Sequence, residues 1–337
     1  MTSDGDDIDM KQLMIYGATG YTGRMVAQQA RDAGLRPILA GRDQARLQTL
    51  AQELGLDWRA FSLDSATDIE RALSGIDVLI NCAGPFQRTA SKLIPASIRS
   101  GTHYLDVSAE LDSYRLSETL SAEAKRAGVT LLPGGGGSVA MLGSLVAVLM
   151  ERISQPTHVA IALHVSGSMS RGSAISAAEN LTPTCLVRSN GLLLERPDAD
   201  VRGFDFGSMQ ADCIPVTLPE VVTLWREHLV PNIETFVHVS GSAFPSGDPA
   251  LLADGPSAEE RGEHRYHAAA VVTGQDGGSA RGFLETVNGY SFTPLAAVEA
   301  ARRIIDGTVR PGFQTPAGLF GAWFAESIAD TRIVVLA

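Results

Sequence analysis

Residues 14–24 read Met-Ile-Tyr-Gly17-Ala-Thr-Gly20-Tyr-Thr-Gly23-Arg. A short apolar strand, Leu13–Tyr16, enters a glycine-rich turn, and a helix opens at once over Tyr21 to about Ala33. Three glycines alone are common in loops. Placed directly after an N-terminal strand and at the mouth of a helix, they mark a dinucleotide turn. Backbone N–H groups there can approach a pyrophosphate, whose charge the helix N-terminus favours. Gly17, Thr19, Gly20, Tyr21, Thr22 and Gly23 are therefore the first candidate cofactor contacts.

The next strand separates the two dinucleotides. It is Pro37-Ile38-Leu39-Ala40, followed by Gly41-Arg42-Asp43. An NAD site places a carboxylate at this strand end to accept from the ribose hydroxyls. Here the first long polar side chain is Arg42, whose guanidinium fork suits a 2′-phosphate. Asp43 precedes a good helical run, Gln44–Leu54, where aspartate is a favoured N-cap. The expected cofactor is NADP(H).

Strand and helix signals keep alternating to about residue 135. A third strand over Trp58–Leu63 ends at Asp64, which joins the cofactor set, and a helix covers Asp68–Ser74. The fourth strand, Val78-Leu79-Ile80-Asn81-Cys82, is continuously apolar, as parallel strands buried on both faces are. Helix Ala90–Arg99, strand Tyr104–Val107, helix Leu116–Ala127 and strand Thr130–Leu132 complete the run before Pro133. The pattern is α/β, a Rossmann-type doubly wound parallel sheet whose ligands lie at the carboxyl ends of its strands.

Those ends carry the candidate chemistry. Ala83-Gly84-Pro85-Phe86 follows the fourth strand, where a loop lines the nicotinamide ribose, although Phe86 also suits plain loop packing. Tyr104, Asp106 and Glu110 at the fifth strand are the catalytic candidates, with Asp106 and Glu110 expected to orient substrate rather than transfer a proton. Glu110 equally suits a helix start, and Asp106 a structural hydrogen bond. Gly134–Gly137, after the sixth strand, either approaches a ligand or turns sharply.

Composition narrows the classes. The 337 residues, 45% hydrophobic, are enough for two domains with sizeable cores. A net charge of −11 argues against nucleic acid, which wants a basic face. Cys82, Cys185 and Cys213 form no metal-ligand or CxxC pattern, and His264 and His267 lie in an Arg/Glu-rich run read as surface, so no metal is expected. Residues 1–10 read as a disordered acidic tail and not as a signal peptide. The longest apolar run, Ala140–Met150, is too short to span a membrane. A cytoplasmic location follows as the expectation.

Only Lys11, Lys92 and Lys125 are present, and no tyrosine has a lysine four positions on. A Schiff base or a Tyr-x-x-x-Lys dyad is therefore not expected. Beyond residue 150, strands are expected at Thr157–Val165, Thr235–Ser240, Tyr266–Thr273 and Gly282–Val287, with Ser173–Asn180 helical and Pro245–Arg261 an exposed loop. Thr293–Ile305 reads as a helix with Pro294 in its first turn.

The glycine turn, Gly84-Pro85-Phe86, the segment Gly101-Thr-His-Tyr104-Leu-Asp106-Val-Ser-Ala-Glu110 and the later Pro311-Gly-Phe-Gln-Thr315-Pro316 together resemble the saccharopine dehydrogenase-like oxidoreductases, nearest the branch that includes trans-acting enoyl reductases. The resemblance implies a Rossmann NADP domain (11–135), an inserted mixed α/β substrate or oligomerisation domain (136–287) and a C-terminal segment (288–337) returning to the first domain. It departs where the family's Gly-Phe-Asp-Ser-Val-Pro-Ser-Asp becomes Gly136-Gly-Ser-Val-Ala-Met-Leu-Gly143, losing both acidic positions, and where its Gly-Glu becomes Ala109-Glu110. Three functions fit: an NADPH-dependent reductase of a polarised C=C or C=N bond, a dehydrogenase of an amino-acid-derived secondary amine, and a non-catalytic NADP-binding regulator. An amino-diacid would need cationic anchors, with Arg171 and Arg188 as candidates. The expected partners are a small-molecule substrate and a second copy in a homodimer.

Overall fold

The computed structural model describes residues 11–180, 185–196, 200–241, 248 and 252–336. The tail expected over 1–10 lies outside them, as does part of the Pro245–Arg261 loop. The first half runs β1 (Leu13–Tyr16), α1 (Tyr21–Asp32), β2 (Ile38–Gly41), α2 (Gln44–Leu54), β3 (Trp58–Ala60), α3 (Ala66–Leu73), β4 (Val78–Asn81), α4 (Phe86–Ser100), β5 (His103–Asp106), α5 (Leu111–Thr119), α6 (Ser121–Ala127) and β6 (Thr130–Leu132). Local chemistry sets these bounds. Asp43 caps α2 by accepting from the Arg46 N–H at 3.0 Å. Glycines in the left-handed region, Gly55, Gly101 and Gly128, close α2, α4 and α6.

Two helices differ from expectation. The one placed at Ala90–Arg99 opens at Phe86, because Pro85 is pre-set as its N-cap and Glu110 accepts from the Gln87 N–H at 2.9 Å. The one placed at Leu116–Ala127 is two helices meeting at Leu120. That break lets Ser121 Oγ accept from the Phe313 N–H at 3.0 Å.

The chain continues through α7 (Ser138–Met150), β7 (Pro156–Ser166), α8 (Arg171–Asn180), β8 (Cys185–Ser189), β9 (Leu192–Arg196), β10 (Arg202–Asp205), β11 (Gln210–Pro215), α9 (Glu220–His228), β12 (Asn232–Ser240), α10 (Ala258–Glu263), β13 (Tyr266–Gly274), β14 (Ser279–Thr286), α11 (Gly289–Ile305), β15 (Gly312–Phe313), α12 (Pro316–Phe320) and β16 (Arg332–Leu336). The first sheet is wholly parallel, in the order β15-β6-β5-β4-β1-β2-β3. The second is mixed, in the order β10-β11-β12-β7-β13-β14-β16, with the β8–β9 hairpin attached to β12. A Rossmann-type sheet with a second mixed α/β domain is thus the architecture.

The apolar run at 140–150 is α7, buried along its length from Val139 to Leu149. A helix apolar all round belongs in a core, and α7 packs between the second sheet and helices α9 and α12. Among the described residues no helix is long and apolar enough to cross a membrane. Three further expectations change. α11 begins at Gly289, capped by the Asn288 side chain, so Pro294 lies inside the helix and not in its first turn. The end of the stretch read as loop up to Arg261 instead begins α10, which runs to Glu263 behind a capping box between Ser257 and Glu260. The C-terminal stretch does not return to the first domain as a whole: β15 pairs with β6, whereas β16 pairs with β14 of the second sheet.

Candidate functional site

The glycine turn is built for close approach. Gly17 has φ +80°, and a Cβ there would stand 2.8 Å from the Ala83 N. A Cβ on Gly23 would sit 2.1 Å from the Gly17 carbonyl oxygen, so α1 could not begin where it does. No side chain caps α1 at Gly20. The first-turn N–H groups, which have no partner inside a helix, are left for a ligand.

β2 ends at Gly41, and Arg42 follows it exposed, without a hydrogen bond or ion pair among the described residues. Its charge and that of Asp64 act on Tyr16, whose phenol burial pushes up to about 12. Asp64 accepts from Ser62 Oγ at 2.9 Å. Sequence reasoning missed Arg46, whose Nη2 donates to the Thr19 carbonyl of the glycine turn at 3.0 Å. One helical turn after Arg42, it adds a second cation at the same corner, and the i, i+4 spacing was the available signal. Uncapped N–H groups, a strand end without a carboxylate and two guanidinium groups fit a phosphorylated dinucleotide.

A buried polar network spans the carboxyl ends of β4, β5 and β6. Asn81 donates to Tyr104 Oη at 3.1 Å and to Thr89 Oγ1 at 3.0 Å, and accepts from the Ala83 N–H at 3.0 Å. Tyr104 donates to Asp106 at 2.9 Å. Asp106 also accepts from Ser113 Oγ at 2.5 Å, Ser108 N at 3.1 Å and Gly134 N at 2.7 Å. Burial raises the Asp106 carboxyl, and its four donors oppose that rise. The Tyr104 phenol, buried beside Asp106, is well above its ordinary value.

Asp106 and Tyr104 are fully enclosed, so they reach a ligand only through the loops they hold. Gly134–Gly137 is buried too: a Cβ on Gly134 would strike the Tyr114 hydroxyl, and one on Gly136 the Thr293 carbonyl of α11. The run serves a sharp turn and a close helix approach. Asn81 and Thr89, which tether Ala83, also escaped sequence reasoning; an asparagine inside an apolar strand was the clue.

The loop Ala83–Phe86 is the open part of this edge, with Gly84 exposed and Phe86 packed as the first residue of α4. α8 of the second domain lies across it, so that a Cβ on Gly84 would be 3.1 Å from Ser176 Oγ. On the same helix Ser173 Oγ accepts from Tyr290 Oη at 2.9 Å, and Tyr290 accepts from the Ser170 N–H at 2.8 Å. Tyr21 departs from its expected role. Its hydroxyl donates to the Pro256 carbonyl and accepts from Arg261 Nη1 at 2.7 Å, and its ring packs edge-on to Tyr290 at 5.5 Å. Its side chain therefore docks the second domain onto α1, leaving only its backbone for the cofactor.

Other candidates disperse. Arg171 pairs with Asp254, and Arg188 is buried on β8 in the second domain, so the two do not converge on the cleft. Burial raises the Cys82 and Cys185 thiols, the reverse of an activated nucleophile. His267 belongs to β13, where strand alternation stacks it on His164 at 5.6 Å, and not to a surface run.

Residues 13–132 match the family described as the saccharopine dehydrogenase NADP binding domain. This match, over about a third of the chain, is to an NADP-binding domain, and the cofactor is NADP(H). The chain is also similar to trans-acting enoyl reductases. It is 32% identical over 107 residues to that of Mycobacterium ulcerans (strain Agy99), covering 30% of this chain and 26% of the relative. It is 30% identical over 118 residues to that of Mycobacterium leprae (strain TN), covering 33% and 28%. The chain thus spans about a quarter of the length of these curated relatives. Apo saccharopine dehydrogenase (L-Glu forming) from Saccharomyces cerevisiae shares the fold, with a TM-score of 0.64 at 13% identity over 97% of this chain and 100% of that one.

Proposed function

We propose that the chain is an NADPH-dependent reductase acting on a polarised double bond, a conjugated C=C or an imine C=N, of a small metabolite or biosynthetic intermediate. The observation that carries this reading is the meeting of the glycine turn, the Ala83–Phe86 loop and α8 at one edge of the parallel sheet, where such folds bind ligands. When bound, NADPH supplies the hydride. The chain's own work is holding and orienting. Backbone N–H groups of Tyr21–Gly23, at the start of α1, hold the pyrophosphate, and Arg42, with Arg46 beside it, takes the 2′-phosphate. Gly84–Phe86 and Ser176 border the reacting face. Ser173 of α8 and Tyr290 of α11, already hydrogen-bonded to each other, are candidate protic side chains for orienting a carbonyl or imine. Asp106, Tyr104 and Glu110 act by position: the first two hold the Gly134 turn and, through Asn81, the Ala83 loop, and Glu110 holds the start of α4.

The commitment of Arg171 to Asp254 leaves an amino-diacid without that anchor, which favours a neutral conjugated substrate over a saccharopine-like amine. The test is NADPH binding followed by a panel of enones and imines, read at the nicotinamide absorbance. Oxidation of NADPH by a panel member supports the reading. NADP⁺ reduction by secondary amines alone would make the chain a dehydrogenase, and tight cofactor binding without turnover in either direction would make it a regulator.

A further inference from the structure

One meeting of the two domains lies on the cofactor turn itself. Tyr21 is the first residue of α1, so its N–H is among those the helix leaves for a diphosphate. Its side chain is held by residues 254–261 of the second domain. The hydroxyl donates to the Pro256 carbonyl and accepts from Arg261 Nη1 at 2.7 Å. Arg261 Nη1 donates to the same carbonyl at 2.9 Å, and its Nε donates to Ser291 Oγ of α11 at 3.3 Å. Gly255 lies against the ring, where a Cβ would stand 2.6 Å from the Tyr21 Cζ.

Both ends of this strap are anchored. Asp254 pairs with Arg171 at the start of α8, and its carbonyl accepts from the Arg171 N–H at 3.3 Å. At the other end, Ser257 and Glu260 close the capping box of α10. The Tyr21 ring also packs edge-on to Tyr290, whose hydroxyl donates to Ser173 Oγ of α8. One side chain thus joins the diphosphate turn, the strap and the helix that borders the reacting face. Arg261 has no ion pair among the described residues, and the adjacent Glu260 accepts from the Ser257 N–H at 2.7 Å and from Ser168 Oγ at 3.4 Å. The guanidinium charge stands one tyrosine side chain away from the N–H groups that meet the diphosphate, so a bound cofactor favours the closed strap.

We propose that residues 254–261 are a clasp that retains the cofactor, with Arg261 as its positioning residue. Acting through Tyr21, Arg261 holds the strap and the first turn of α1 in one arrangement at the diphosphate, and the cofactor leaves when the contact among Tyr21, Pro256 and Arg261 opens. By linkage, a cofactor that favours the closed clasp is in turn held longer by it. The proposal rests on the cofactor reading of the glycine turn and not on which bond is reduced.

The test is stopped-flow binding and release of NADPH and NADH by the full chain. The variants are Tyr21→Phe, which keeps the ring and removes the hydroxyl, Arg261→Ala and Arg261→Lys. Tyr21→Phe and Arg261→Ala should release NADPH about fivefold faster or more, with association rates within about twofold of the wild type. Arg261→Lys, which keeps the charge, should recover part of the difference. NADH should change equally, since both cofactors carry the diphosphate, whereas Arg42→Ala separates the two. Amides of residues 254–263 should exchange more slowly with solvent when NADPH is bound, and Arg261→Ala should lose that protection. If Arg261→Ala does not fold, Tyr21→Phe carries the same comparison. Release rates within about twofold of the wild type in the variants overturn the clasp, as does a fall in melting temperature without faster release. No NADPH binding by the wild type overturns the cofactor reading beneath it, which distinguishes that failure from the clasp's own.

Discussion

Glu220 is the first residue of α9, fully buried, and neither carboxyl oxygen has a hydrogen-bond partner among the described residues. Burial raises its pKa from 4.5 to about 7. Below pH 4.5 the carboxyl is protonated in both folded and unfolded chains and contributes no pH dependence. Between 4.5 and about 7 the unfolded chain ionises while the folded one keeps its proton, so stability falls as pH rises. At about 1.4 kcal/mol per pH unit, the accumulated loss is about 3 kcal/mol, constant above pH 7. Glu220→Gln keeps the shape and the unsatisfied polar group but removes the titration. Urea unfolding of both proteins across pH 4.5–8 isolates the effect, since every other group titrates alike. The variant should gain about 3 kcal/mol on the wild type between the two ends of that range. A stability difference that stays flat with pH would refute the reasoning and would mean that water or a cation reaches the carboxylate.

At the cofactor corner, Arg42→Ala should weaken NADPH binding by about 1.5–3 kcal/mol, the range for hydrogen bonds to charged groups, and leave NADH nearly unchanged in the same fluorescence titration. Equal loss for both would make Arg42 merely structural. Asp106→Asn replaces one carboxylate oxygen, the acceptor of two of the four hydrogen bonds, by an amide donor, for a cost of about 1–3 kcal/mol in thermal unfolding; turnover should fall more than NADPH affinity, and full activity in this variant would remove Asp106 from the site. Cutting the chain after residue 135 removes α11 and β15 from the first domain and exposes apolar surface. The fragment should be poorly soluble, and full NADPH affinity in a well-folded fragment would refute the dependence of the first domain on the later segment that packs back on it.

What the sequence made legible was chemistry confined to a few consecutive residues. Gly17–Gly23, the Asp43 cap and the apolar β4 each declare their conformation through local sterics or periodicity, and the parallel sheet adds only β15 to the six strands expected. Contacts closed over long separations stayed hidden. Tyr21 looked like a cofactor ligand because it stands within the glycine turn, yet its partners Pro256 and Arg261 lie 235 and 240 residues away. β8–β11 escaped notice because they form the edge of the second sheet and its attached hairpin, where exposed and part-buried positions blur the period of two. Asp106 lies between these cases. Its place on the right sheet edge was readable, but the four donors that enclose it come from β5, the turn after it, α5 and the Gly134 turn. A carboxylate so fully bonded cannot also meet a substrate, whereas the Ala83 loop, tethered through Asn81 to the same network, can. The chemistry therefore depends on how firmly that network holds the loop beneath α8, which makes the seam between the two domains, rather than any one acidic side chain, the place where this site is decided.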